Sequence, residues 1–224
     1  MNTTTNTKEV AINLKDISLT GNFNVTQPTK GLVIFAHGSG SSRLSPRNNF
    51  VAEILNRHNM ATLLTDLLTP FEDEVYENRF DIALLSHRLV QVTEWVMLQK
   101  PFGQLPVGYF GASTGAASAL QAAALLDENI KAVVSRGGRP DLAAHALPKV
   151  KAPTLLIIGS RDEQVIDLNK IAFGKLQCEK KMEIVEGASH LFEEPGTLHK
   201  VADLAANWFE HYLLSESFTG QRHF

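Results

Sequence analysis

The chain has 224 residues, 44% of them apolar and 20% charged, with a formal net charge of −3 at pH 7. That suits one globular domain with a full-sized core, and so even a mixture of acids and bases gives no electrostatic ground for binding nucleic acid or a membrane surface. A single cysteine, Cys178, excludes an intrachain disulfide framework. Met1–Lys8 is polar and lacks a secretory pattern, and no apolar run approaches the ~20 residues of a membrane span, so a cytoplasmic protein is expected.

Residues 1–8 read as a loose terminus, 9–218 as one domain without internal repeats, and 219–224 as a tail. Val10–Leu14 and Ile17–Val25 alternate loosely and predict an antiparallel opening pair, with a break at Thr20-Gly21-Asn22. Five continuous apolar runs follow, at 31–36, 61–65, 105–110, 130–135 and 153–158, with a shorter one at 182–185. Unbroken apolar character suits strands covered on both faces, as in a parallel sheet.

Helices are predicted between them. Ser45-Pro46 reads as an N-cap followed by proline at the first helical position, opening a helix through about Arg57. Ile82, Leu85, Leu89, Val92 and Val96 recur at helical spacing. Thr114–Leu126 is alanine-rich, and Val201, Leu204, Ala205, Trp208, Phe209 and Tyr212 mark one face of a last helix. The alternation predicts an α/β fold with a mostly parallel central sheet and helices on both faces. No segment is long enough for a large cap domain, although 66–79 could form a small lid. In such sheets the chemistry sits at the carboxyl ends of the strands.

Four segments at those ends carry candidate chemistry. Gly111-Ala-Ser-Thr-Gly115 places a Gly-x-Ser-x-Gly between a strand and a helix, the setting of a nucleophile elbow with Ser113 at its apex. The same glycines could build a plain turn, but they match neither a phosphate loop nor a dinucleotide fingerprint. Asp162 follows the strongest strand of the second half and can orient a base from there. It could equally cap the next helix, and Glu163 and Asp167 are fallback acids. His190 lies in a small-residue loop after the last strand, which completes the chain order Ser…Asp…His. The other histidines sit at helix ends, on helix surfaces or in the tail, with His145 undecided. Finally His37-Gly38-Ser39-Gly40 resembles the oxyanion-hole loops of lipases and esterases. That resemblance implies backbone donors at Ser39 and Thr114, and a structural part for His37. Losing one such donor typically costs about 3–4 kcal/mol in an acyl-transfer enzyme.

Gly38, Gly40, Arg43 and Arg136 are candidate substrate-binding positions, and Arg47 and Arg139 also lie near strand ends. Arginines there could hold a carboxylate or phosphate, or simply form local ion pairs. Histidines and acids are scattered without ligand spacing, so neither a metal nor another cofactor is expected.

Together, the segments 37–48, 111–115, 159–162 and 187–195 resemble the dienelactone hydrolase-related branch of the α/β-hydrolases. The resemblance runs from about Gly31 to the last helix. Dienelactone hydrolases proper carry cysteine at the elbow, whereas this chain has serine, and Cys178 is far from it. The resemblance implies a Ser113–His190–Asp162 hydrolase acting on a small carboxylic ester or lactone. Thioester cleavage or acyl transfer on the same triad, or a catalytically silent binding module, are the alternatives. A small-molecule substrate is the expected partner, and a homodimer is compatible with the sequence.

Overall fold

The computed structural model describes residues 5–214. Its single sheet has eight strands: β1 (Thr5–Asn13), β2 (Ser18–Thr26), β3 (Gly31–Ala36), β4 (Met60–Thr65), β5 (Val107–Ala112), β6 (Ile130–Arg136), β7 (Thr154–Gly159) and β8 (Lys180–Val185). They lie in the order β1-β2-β4-β3-β5-β6-β7-β8. β1 pairs antiparallel with β2, and β2 with β4; all the other pairings are parallel. Strands β3, β4, β5 and β7 are buried along their whole length, as their unbroken apolar runs require. Edge strand β8 instead carries Lys180, Lys181 and Glu183, charges that discourage pairing with another sheet.

Two expectations for the hairpin fail. The strand starts at Thr5, so residues 5–8 are not loose: Lys8 pairs with Phe23 and Thr5 with Thr26. The break at Gly21 does not occur either. β2 is bonded on both sides there, Gly21 facing Val10 and Thr65, and a side chain at 21 would meet Leu63 Cδ1 at 2.9 Å. The expected tail, 219–224, lies outside the described residues.

The helices are α1 (Pro46–Arg57), α2 (Pro70–Asp73), α3 (Ile82–Met97), α4 (Thr114–Leu126), α5 (Glu163–Lys175) and α6 (Thr197–Phe209), the last running on into a π-helical turn, Glu210–Leu214. α1 opens as its sequence predicts: Ser45 Oγ accepts from Asn48 N, and Pro46 needs no partner at the first position. α4 buries Ala116, Ala117, Ala119, Ala122 and Ala123 completely, so small side chains let it lie close on the sheet. In α6 the buried stripe runs through Val201, Ala202, Ala205, Ala206 and Phe209, while Leu204 and Trp208 are half-buried. α1 and α6 cover one face of the sheet, and α3, α4 and α5 the other. The 66–79 segment is ordered around α2: Thr69 and Glu72 cap each other, and Arg79 pairs with Asp73. Among the described residues no helix is long and apolar enough to cross a membrane.

From β3 the chain passes to β4 on one side, then returns to β5 on the other. This reversal opens a crevice between the carboxyl ends of β3 and β5, the place where open α/β sheets bind ligands.

Candidate active site

Ser113 sits between β5 and α4 with φ 51° and ψ −122°, a left-handed-side conformation that a non-glycine residue rarely adopts. Its neighbours hold the strain in place. Ser113 N donates to Arg136 O at 3.2 Å, and its carbonyl accepts from Arg139 N at 3.0 Å and from Ala116 N at 3.1 Å. A side chain at Gly115 would meet Ala36 O at 2.2 Å, and one at Gly111 would meet Ala116 Cα at 2.4 Å. The turn is therefore closed to anything larger at either glycine, as the Gly-x-Ser-x-Gly spacing implies.

Asp162 stands at the head of α5, but its side chain makes no cap bond there. It accepts instead from His190 Nδ1 at 2.6 Å, and the carboxylate is only 15% exposed. A carboxylate cannot donate, so Nδ1 carries the proton and Nε2 is left as the free base position. The two loops interlock to hold this pair. Arg161 N donates to Ala188 O at 2.9 Å, and Gly187 N to Ser160 Oγ at 2.8 Å. A side chain at Gly159 would meet Ala188 O at 2.4 Å. Phe192, at φ 57° and 1% exposed, anchors the far side of the histidine loop. Glu194 ties back to Ser189 N at 3.0 Å, and hydrogen bonds from that N–H hold its carboxyl below the usual carboxylate range. Both lie in the 187–195 segment that carries the family resemblance, close behind His190.

The imidazole lies over the end of β6: a side chain on Gly137 would come within 3.6 Å of His190 Cε1. Ser113 is at the end of the adjacent strand. Among the described residues Ser113 Oγ makes no hydrogen bond, and such contacts are often long before substrate arrives.

The oxyanion side is arranged differently from the expectation. The 37–40 loop passes directly over the serine: a side chain at Gly38 would meet Ser113 Cβ at 3.1 Å. His37 is structural, its Nε2 accepting from Leu67 N at 3.4 Å. Ser39 N, however, already donates to Thr114 Oγ1 at 2.8 Å. The expected donor is present but engaged. Gly40, at φ 68°, borders a cavity of about 520 Å³ that Arg47 also lines.

Of the arginines, Arg43 is not free to hold an anion. It pairs with Asp66 at 2.7 Å and Glu9 at 3.1 Å; burial alone would lower its pKa, but these two carboxylates outweigh it and raise the value. Arg139 is bidentate to Asp141. Arg136 is buried at 7% exposure, with Asn48 Oδ1 at 3.3 Å as its side-chain acceptor. An apolar cavity of about 600 Å³ among Phe23, Trp95 and Phe102 lies by the segment preceding β5, at the other end of the strands, and holds none of these groups.

Comparison with known proteins accords with this architecture. A crystal structure of dienelactone hydrolase from Anabaena variabilis matches with a TM-score of 0.91 and 52% identity, covering 93% of this chain and 99% of that one. The chain belongs to the dienelactone hydrolase family. Est1E from Butyrivibrio proteoclasticus shares the α/β-hydrolase fold at a TM-score of 0.75 and 16% identity, over 92% of this chain and 99% of its own. No family model matches the chain. A putative phosphoribosyl transferase of Mycobacterium tuberculosis, found in two strains, is 51% identical over 213 residues, which is 95% of this chain and 48% of that protein. The chain thus spans about half the length of the curated relatives it matches.

Proposed function

We propose that this dienelactone hydrolase relative cleaves a small carboxylic ester or lactone through an acyl-enzyme on Ser113. The observation that carries the reading is the 2.6 Å bond from His190 to Asp162 beside a serine held at φ 51° on the next strand end. His190 Nε2 takes the Ser113 hydroxyl proton as Oγ attacks the acyl carbonyl, and Asp162 stabilises the resulting imidazolium. The tetrahedral oxyanion is held by the Thr114 N–H, at the start of α4, and by the Ser39 N–H once it has left Thr114 Oγ1. His190 then protonates the departing alkoxide. A water that it activates transfers OH to the acyl carbon and frees Ser113. No step requires a metal or a cofactor.

Its similarity to a dienelactone hydrolase favours a small ester or lactone. The phosphoribosyl transferase name belongs to chains about twice as long and is not carried over to this site. Thioester cleavage and acyl transfer would use the same groups, and competition between water and added alcohols for the acyl group separates transfer from hydrolysis.

The test is covalent labelling with a fluorophosphonate probe, wild type beside Ser113→Ala. Labelling at Ser113 that disappears in the variant supports the reading. A folded wild type that takes no label, or a variant that still does, overturns it and favours a silent binding module.

A further inference from the structure

Every arginine among the described residues except Arg136 has a carboxylate within 4.0 Å. Arg136 is also deeply buried, at 7% exposure. Its Nε is enclosed with no partner, and only the neutral Asn48 Oδ1 accepts from its Nη2. A buried guanidinium without a counter-charge is costly, because burial removes its hydration and nothing replaces it.

Its surroundings increase the cost. Asn48 is the third residue of α1, so the guanidinium rests against the positive end of a twelve-residue helix. Arg47, the second residue of that helix, adds a like charge and has an enclosed, unpartnered Nε of its own. Burial first, and then Arg47, lower the Arg136 pKa to about 10, which still leaves it charged at neutral pH. Three sources of positive potential converge around Asn48. Among the described residues the sole carboxylate on either arginine is Glu193, bound to Arg47 at 3.0 Å and 63% exposed, hence free to swing into water.

This cluster is rooted in the site described above. The Arg136 carbonyl accepts from Ser113 N, and Gly137 runs beneath the His190 ring. Arg47 and Gly40 share the wall of the cavity of about 520 Å³, whose far side carries the paired Asp73 and Arg79.

We propose that Arg136, Arg47 and the first turn of α1 form a receptor for a phosphate group carried by the substrate, as a handle that is not itself cleaved. This rests on the hydrolase reading for the word substrate, but the receptor is testable without it. Two guanidiniums and a helix terminus exceed the charge of one carboxylate. A phosphate monoester, with nearly two charges at pH 7 and three terminal oxygens, can meet both forks at once. The ester consumed is then a phosphorylated one.

Inorganic phosphate, with acetate in parallel, is titrated calorimetrically into wild type, Ser113→Ala, Arg136→Gln and Arg47→Gln, and phosphate is tried as an inhibitor of 4-nitrophenyl acetate hydrolysis. The expected result is one phosphate per chain in wild type and Ser113→Ala alike, bound at least about tenfold more tightly than acetate. Either arginine variant should weaken it by about tenfold or more. If Arg136→Gln fails to fold, Arg47→Gln, whose side chain is one-third exposed, carries the test. Absence of saturable phosphate binding, affinity unchanged in Arg47→Gln, or acetate bound as tightly as phosphate would overturn the receptor. Phosphate bound by a protein that cleaves no ester would leave the receptor standing and remove the hydrolase. Ester cleavage by a protein that shows no saturable phosphate binding would do the reverse.

Discussion

The loop that carries His190 and the loop that carries Ser39 are both pressed against a neighbouring backbone through a glycine, Gly159 in one case and Gly115 in the other. Yet the first has its working hydrogen bond already made, and the second has it diverted. His190 Nδ1 is on Asp162 at 2.6 Å, while Ser39 N is on Thr114 Oγ1 at 2.8 Å. The contrast follows from what each loop must satisfy. The histidine loop offers a ring that can donate to a carboxylate that can only accept, so the pairing is the same with or without substrate. The oxyanion loop holds a backbone N–H whose future acceptor is a substrate oxygen, and until then a half-buried donor needs a substitute. Thr114 supplies it from the first residue of α4. In the proposed mechanism the base is therefore set in advance, and the oxyanion hole opens by exchange.

The largest expected effect tests the preset half. Asp162→Asn keeps the shape but offers an amide that can donate, which favours the wrong imidazole tautomer. By analogy with other triads, the turnover of 4-nitrophenyl acetate should fall about 10⁴-fold with folding intact. A loss of less than about tenfold would mean that another acid, Glu163 or Asp167, orients the base.

Next come the two glycines. A methyl group at 115 points at Ala36 O in a fully buried strand, 2.2 Å away; one at 159 points at Ala188 O in a loop, 2.4 Å away. Both overpack backbone rather than a movable side chain. Gly115→Ala should cost about 3 kcal/mol or more and Gly159→Ala less, because a loop yields more readily than a strand. Thermal unfolding orders them, and the opposite order would show that the histidine loop is the stiffer of the two.

How much of this contrast is legible in the sequence follows from the range of the interactions. The elbow and the order Ser113…Asp162…His190 are local motifs tied to strand ends, and the capping of α1 by Ser45 is a matter of three residues, so each could be read directly. Whether Asp162 caps α5 or serves His190 depends on a partner 28 residues away, and the sequence left both open. For Arg43 the sequence leaves open an anion holder or an ion pair, because Asp66 and Glu9, which neutralise it, lie 23 and 34 residues distant. The Ser39–Thr114 bond spans 75 residues and depends on a single rotamer, for which no spacing rule exists. Gly21 was misread for a related reason: local turn propensity lost to pairing on both edges of β2.

A smaller effect probes the diverted half. Thr114→Val keeps the volume and removes the oxygen, leaving Ser39 N–H without an acceptor in the free protein. That should cost about 1–3 kcal/mol of stability, seen as a lower melting temperature. The substrate oxyanion would then no longer compete with Thr114, so the rate of fluorophosphonate labelling should not fall below that of wild type. A drop of tenfold or more would mean that the hydroxyl positions the loop rather than occupying the hole.

The smallest effect returns to the histidine loop. Glu194 is half-buried, and its carboxyl is held below its ordinary value first by the Ser189 N–H. A depressed acid contributes to the fold fully above its unfolded value, about 4.3 for Glu, and loses that contribution as the pH falls through the lower folded value. Glu194→Gln keeps an acceptor for Ser189 but not the charge. Turnover at neutral pH should thus change by no more than about threefold, as expected for a partly exposed charge that touches no reacting group. The difference in melting temperature between wild type and variant should shrink as the pH is lowered below 4.3, because wild type then loses the same charge. A difference that grows towards acid would mean that some other carboxyl clips the loop, and the preset state of the base would have to be traced to the Asp162 side alone.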